Sequence, residues 1–195
     1  MEYCPKCGSE LESKLEGGRD RPACPAEGCG FIHFGNFSIG AGAVVIRDGK
    51  ALLIQRGIEP NRGAWQLPGG YIESDEEIIA GVEREVLEEA GIKARVSDVV
   101  GFRHAPGRGD GQANIYVVFR LDHIEGEPQH DGVETLGAGF FSLDEMEEMD
   151  KVQTLSTWSI QRALISIRES GLRPDLNREG VNMPGRGWSL FGLNI

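Results

Sequence analysis

No stretch of the chain is apolar for the ~20 residues that a bilayer-spanning helix needs. The opening MEYCPKCG has neither the basic nor the apolar segment of a secretory leader. Positive charge is also scarce: 20 lysines and arginines face 31 aspartates and glutamates, for a formal net charge of −11. Affinity for nucleic acid or anionic membrane rests on clustered positive charge, so this balance argues against both. Cysteine is absent beyond Cys29, and no internal repeat is evident. These absences leave a cytoplasmic globular protein as the expectation. Its 195 residues suit one medium domain with a substantial core, plus a small attachment.

The cysteines that are present fall in two close pairs, Cys4-Pro-Lys-Cys7-Gly and Cys24-Pro-Ala-Glu-Gly-Cys29-Gly. Two such pairs on either side of a hairpin-length segment suit tetrahedral zinc, and the glycine after each pair lets the backbone turn tightly. Disulfides compete with this reading, but without a secretory leader an oxidising compartment is not expected. Four cysteines leave no ligand position open, so the zinc would be structural. It would supply much of the folding free energy of a segment with little core of its own.

Residues 1–34 therefore read as a zinc-binding segment, 35–170 as the main domain, and 171–195 as a Gly-, Pro- and Asn-rich tail. The tail is expected to be loosely ordered, with Trp188, Leu190 and Phe191 free to dock on the domain or on a second subunit. After the glycine-rich 35–42, the apolar runs Ala43–Arg47 and Lys50–Gln55 flank Asp48-Gly49, a strong hairpin signal. Strands follow at about Arg95–Arg103, Ala113–Leu121 and Ala138–Phe141. Ser142 with Glu145 marks a capping box for a short helix to about Asp150. A last helix runs from about Ser156 to Ser170, with Ile160, Leu164 and Ile167 on one face. The mixture of strands and helices makes the fold class α/β.

The densest signal is GGYIESDEEIIAGVEREVLEEAGI, from Gly69 to Ile92. Ser74 with Glu77 has the spacing of a capping box, and Gly91 suits the left-handed residue that closes many helices. Ile79, Val82, Val86 and Ala90 form an apolar stripe, and Glu85, Glu88 and Glu89 share the adjacent arc. Like charges at this spacing repel, and near a helix C-terminus they also oppose the macrodipole. A solvated acidic face tolerates them, as does a hard divalent cation that takes oxygen ligands.

The spacing Gly70, Glu76, then Arg84-Glu85-Val86-Leu87-Glu88-Glu89-Ala90-Gly91-Ile92 matches the Nudix box at every fixed position. The chain thus resembles the Nudix hydrolases, which cleave a nucleoside diphosphate linked to a further moiety. The resemblance implies an α/β/α sandwich with a mixed sheet, here preceded by a zinc ribbon. It implies Mg²⁺ or Mn²⁺ held by Glu85, Glu88, Glu89 and the Gly69 carbonyl. Glu76 lies on the opposite side of an ideal helix from Glu85, so its implied role is to brace the box with Arg84. A loop glutamate distant from the box completes the site in several relatives, and Glu134 is the candidate for general base. Arg56, Arg103 and Arg108 are candidates for phosphate contacts because guanidinium forks match phosphate oxygens, although each also reads as a surface charge. His104 could stack on a base or be merely structural.

A zinc ribbon followed by a Nudix domain is shared by two known types. NADH pyrophosphatases carry Ser-Gln-Pro-Trp-Pro-Phe-Pro after the box, where this chain has IKARVSDVVGFRHAPGRGD. Agreement is better with ADP-ribose/FAD pyrophosphatases, through LLIQR, WQLPGGYIE, YVVFRL and ETLGAGFFSLDEM. The expected substrate is FAD, ADP-ribose or a similar small molecule, giving AMP and a second phosphate monoester. An NADH pyrophosphatase, a sanitising nucleoside triphosphatase and a non-catalytic nucleotide sensor are the alternatives. A homodimer is compatible with the resemblance.

Overall fold

A computed structural model of the chain describes residues 1–107, 112–166, 171–174 and 191–192. Two compact units are present. The first is formed by Met1–Phe37 with the short segment around Ala113, the second by Ser38–Ala105 and the chain from Asn114 onward. In the first unit, β1 (Glu12–Glu16) and β2 (Arg19–Ala23) form an antiparallel hairpin with Glu16 opposite Arg19.

The second unit is built on a mixed sheet with helices. Its strands are β3 (Phe37–Arg47), β4 (Lys50–Arg56), β5 (Trp65–Gln66), β6 (Gly69–Tyr71), β7 (Lys93–Ala105), β8 (Ala113–Glu125) and β9 (Thr135–Phe141). The order β5-β4-β3-β8-β7 forms the main path, with β6 paired to β3 and β9 paired to β4. Asp48 and Gly49 both take positive φ, 51° and 76°, as a two-residue hairpin requires between β3 and β4. The strands run longer than the apolar runs suggested. In particular, the glycine-rich lead-in is itself strand, because Gly40 and Gly42 pair with Tyr71 and Gly69.

Two helical layers follow from the two-residue period of the strands. Ala41, Ala43 and Val45 of β3, with Leu52 and Ile54 of β4, face α1 (Ile78–Ala90) through Val82, Val86 and Ala90. Val44, with Ala51 and Leu53, packs on the opposite side against Met146 of α2 (Leu143–Glu147) and Ile160 and Ala163 of α3 (Thr154–Ile165). Strands buried on both faces explain why their sequence reads as continuous apolar runs.

Two details differ from expectation, and the tail takes one of the courses expected of it. The Ser74–Glu77 capping box does not form, and α1 begins at Ile78. Instead Glu76 reaches back three residues to accept from the Glu73 N–H at 2.9 Å, so a turn occupies the place of the first helical residues. The buried face of α3 is Ser156, Ser159, Ile160 and Ala163, whereas Leu164 is 37% exposed. Small residues at that helical spacing let α3 lie close to the sheet; Ile167 lies outside the described residues. In the tail, β10 (Arg173–Pro174) pairs with β11 (Phe191–Gly192), and the Phe191 ring packs 5.5 Å from Phe119 against the α1-side core. Trp188 and Leu190 lie outside the described residues.

At Ser142 the capping box does form, with the hydroxyl accepting from the Glu145 N–H at 3.1 Å and the Glu145 carboxylate accepting from the Ser142 N–H at 2.7 Å. Ser142→Ala is therefore expected to lower unfolding free energy by about 1 kcal/mol. Ser74→Ala should change it by less than about 0.5 kcal/mol. Urea denaturation of the two variants checks the contrast.

Candidate active site

The site begins where β6 passes beside β3. Gly69 takes φ of 142°, and a Cβ there would lie 2.1 Å from the Ala41 carbonyl oxygen. Only glycine fits so close an approach. Its N–H donates to Glu89 Oε2 at 2.7 Å. At Gly70 a Cβ would lie 2.8 Å from both Glu85 carboxylate oxygens. The two glycines thus bring backbone directly onto the two carboxylates that α1 presents beside its apolar stripe.

Helix position separates the three glutamates. Glu89 is only 8% exposed, and the Glu85 side chain is 15% exposed. Glu88 stands at the rim, 61% exposed, and accepts from Arg84 Nη1 at 2.9 Å. Arg84 also reaches Glu85 at 3.0 Å and forks onto Glu76 through Nη2 at 3.1 Å and Nε at 3.3 Å. That fork holds the Glu76 carboxyl below its usual range. Burial pushes Glu89 up to about 8; the charges of Glu85 and Glu134 add to this, while the Gly69 N–H and Arg56 oppose it. Glu85 is raised as well, chiefly by burial and against the pull of Arg84, with the charges of Glu88 and Glu134 contributing.

Other residues singled out from sequence are distributed unevenly. Arg56 and Arg103 line one cleft of about 630 Å³ together with Gly69 and Gly70, a volume suited to a small ligand. Arg56 is steadied by donating to the Pro60 carbonyl at 2.9 Å. Arg103 donates to Asn114 Oδ1 and lies over the Tyr116 ring, 5.5 Å from its centroid. Glu134 sits on an exposed loop, close enough for its charge to act on both Glu85 and Glu89. His104 is exposed on β7 opposite Ile115 and does not line the cleft. Arg108 lies outside the described residues.

Sequence reading missed Tyr116, Asn114, Gln66 and Gln153, which complete the cleft walls. Tyr116 belongs to a strand whose alternation reads as ordinary core, and nothing local says that it lies across Gly40 and Gly42. Asp131 and Thr135 were also missed, although an aspartate opening a Gly-containing loop is a recognisable Asx-turn signal.

The cysteines form a separate cluster in the first unit. All four thiols are free, with Sγ atoms 3.7 Å apart for Cys4 and Cys29, 3.4 Å for Cys7 and Cys24, and 3.8 Å for Cys7 and Cys29. With Zn–S bonds of about 2.3 Å, a tetrahedral site has edges of about 3.8 Å, so the donor set and spacing fit zinc. Among the described residues this is the one group of three or more His, Cys, Asp or Glu whose ligand atoms gather within 4.8 Å. The α1 glutamates are more dispersed, because Glu88 is turned onto Arg84. Their donor chemistry nevertheless fits a hard cation: two partly desolvated carboxylates stand beside β6, where a Cβ at Gly70 would crowd Glu85 and the Gly69 N–H reaches Glu89.

A family model of the NUDIX domain matches residues 37–159. An ADP-ribose pyrophosphatase of Methanocaldococcus jannaschii is 33% identical over 112 residues, covering 57% of this chain and 66% of its own length. An NAD-capped RNA hydrolase NudC of Yersinia enterocolitica is 25% identical over 167 residues, covering 86% of this chain and 60% of its own. The chain therefore spans less than two thirds of the length of either relative. The crystal structure of a Nudix hydrolase from Nitrosomonas europaea superposes with a TM-score of 0.68 at 28% identity, covering 84% of this chain and 90% of that one.

The Glu89 carboxyl gives a pH signature. A folded-state pKa above the unfolded value means that the folded state holds the proton more tightly, so the contribution to stability is present at low pH and lost as pH rises. The window runs from 4.5 to about 8. Without added divalent cation, the wild-type Tm is expected to fall between pH 5 and pH 8 more steeply than that of Glu89→Gln. Parallel Tm profiles for the two proteins would contradict this.

Proposed function

The chain belongs to the Nudix family, and on that premise we propose that it hydrolyses the pyrophosphate bond of a nucleoside diphosphate linked to another moiety. One observation carries the proposal: the paired glycines are pressed onto Glu85 and Glu89, with Arg56 and Arg103 in the adjoining cleft. Mg²⁺ or Mn²⁺ is assigned to Glu85, Glu89, Glu88 and the Gly69 carbonyl. Bound there, the cation would neutralise phosphoryl charge and make water nucleophilic. Arg56 and Arg103 bind phosphate oxygens, each with its guanidinium already oriented by a protein carbonyl or amide oxygen. Glu134 takes the proton of the attacking water. Arg84 and Glu76 brace the box, the first by neutralising three carboxylates and the second by fixing the turn before α1.

The substrate is assigned to ADP-ribose, FAD or a similar small molecule, which water cleaves into AMP and a second phosphate monoester. The M. jannaschii relative's name supports this assignment. A second reading, hydrolysis of an NAD-type substrate, is favoured by the 167-residue alignment with NudC, which is too long to lie within residues 37–159 alone. Against it stands the different sequence that follows the box. Among the described residues no helix is long and apolar enough to cross a membrane. Cys4, Cys7, Cys24 and Cys29 are assigned to one structural Zn²⁺.

The substrate readings separate when ADP-ribose, FAD, NADH and nucleoside triphosphates are offered in turn with Mg²⁺ or Mn²⁺ and product is followed. ADP-ribose or FAD should give the highest kcat/KM; tight binding of one nucleotide with no turnover of any would support a sensor instead. Glu85→Gln and Glu89→Gln should each lose about a hundred-fold or more in kcat with circular dichroism unchanged. Full activity in either variant would sink the assignment. Metal analysis of the purified chain should find one zinc, lost in Cys24→Ser.

A further inference from the structure

The loop that carries Glu134 is built around one carboxylate. Asp131 Oδ1 accepts from the N–H groups of Val133 at 2.9 Å and Thr135 at 2.8 Å, and Oδ2 accepts from the Glu134 N–H at 3.2 Å. Burial pushes the Asp131 carboxyl up, yet these donors overcome it and leave it at about 2. The three N–H donors favour the charged form of Asp131, so the carboxylate and the turn it organises support each other.

Two further ties run from this loop to the site. Thr135 is fully buried, and its Oγ1 lies 3.0 Å from both Asp131 Oδ1 and the backbone carbonyl oxygen of Glu89. Its single proton serves one of these acceptors at a time. On the other side, the Gly57 N–H donates to the Glu134 carbonyl at 2.6 Å, and a Cβ at Gly57 would lie 2.6 Å from the Val133 carbonyl oxygen. The loop is thus fastened to the residue after Arg56 and to Glu89 itself. The Gly57 tie continues the β4–β9 pairing, which ends at Arg56 opposite Thr135, whereas the Thr135–Glu89 tie reaches outside the sheet to α1.

We propose that Asp131 and Thr135 are positioning residues that fix Glu134 in the same frame as Glu85 and Glu89. This rests on the reading of Glu134 as the general base. Because the Thr135 hydroxyl reaches the Glu89 backbone, a displacement of α1 at its C-terminal turn carries the Glu134 loop with it. The base keeps its distance from the carboxylate pair.

The test is a double-mutant cycle on the full-length protein, with kcat, KM and Tm measured on the best substrate of the panel. Thr135→Val should lower kcat by roughly ten- to a hundred-fold with KM little changed, the scale expected for misplacing a reacting group. Thr135→Ser, which keeps the hydroxyl, should restore most of kcat. Combined with Glu134→Gln, Thr135→Val should cost nothing further. If the two losses multiply instead, the anchoring acts independently of Glu134 and the proposal is wrong, while the general-base reading survives. If Glu134→Gln alone keeps full kcat, the general-base reading fails and this one with it. Should Thr135→Val not fold, Asp131→Asn enters the same cycle with the same expected pattern.

Discussion

The contact on which the rest of the structure depends is the approach of the Gly69–Gly70 backbone to the Glu85 and Glu89 carboxylates. A buried carboxylate is costly unless donors or a cation reach it. Here the helix that carries the pair is held in place by the apolar stripe of Val82, Val86 and Ala90 against β3 and β4. The turn opposite is held by the pairing of Gly69 and Gly70 with Gly42 and Ala41. Neither surface can retreat without opening the core, so the carboxylates stay partly desolvated. The destabilisation is local: burial disfavours the charged carboxylates, and a hard cation bound there would restore them.

Arg84 is the counterweight. It neutralises part of Glu85, most of Glu76 and the rim glutamate Glu88, and it leaves Glu89 to the Gly69 N–H. Sharing one guanidinium among three carboxylates keeps the acidic arc from driving the helix apart by repulsion. It also sorts the glutamates: Glu76, Glu85 and Glu88 pair with the arginine, and Glu89, which does not, is the most buried. That sorting follows from position on the helix more than from residue type.

Much of this was legible in sequence. Asp48-Gly49, the Ser142–Glu145 box and the Gly91 stop are short-range signals whose partners lie within a few residues, and the structure forms all three. The box named the acidic residues; the helical period set Glu76 opposite Glu85, whereas Glu76 lies before α1 and shares Arg84 with Glu85. What failed depended on competition or on distance. Ser74 and Glu77 had capping spacing, but Glu76 makes the reach-back bond one residue earlier because it also binds Arg84. The face of α3 was misread because serines on a buried face carry no apolar signal, although the Ser159 hydroxyl is satisfied by the Leu155 carbonyl. Phe191 docks on the domain, one of the two outcomes expected of the tail, but its partner Phe119 is far along the chain and no local pattern names it.

The same distinction separates the chemistry of the site from its choice of substrate. The carboxylates come from one helix and one turn, so a contiguous motif specifies them. The cleft walls are gathered from many places, among them Arg56 at the end of β4, Gln66 on β5, Arg103 on β7, Asn114 and Tyr116 on β8, and Gln153 before α3. Most belong to a strand or helix end, away from the centre of either core layer, although Tyr116 also packs against the α3-side core. Residues of this kind can vary independently while the bond cleaved stays the same, which is how one scaffold serves many leaving groups. A contiguous signature therefore identifies the reaction class well and the substrate poorly, because the cleft beside it is assembled only when the fold brings these distant segments together.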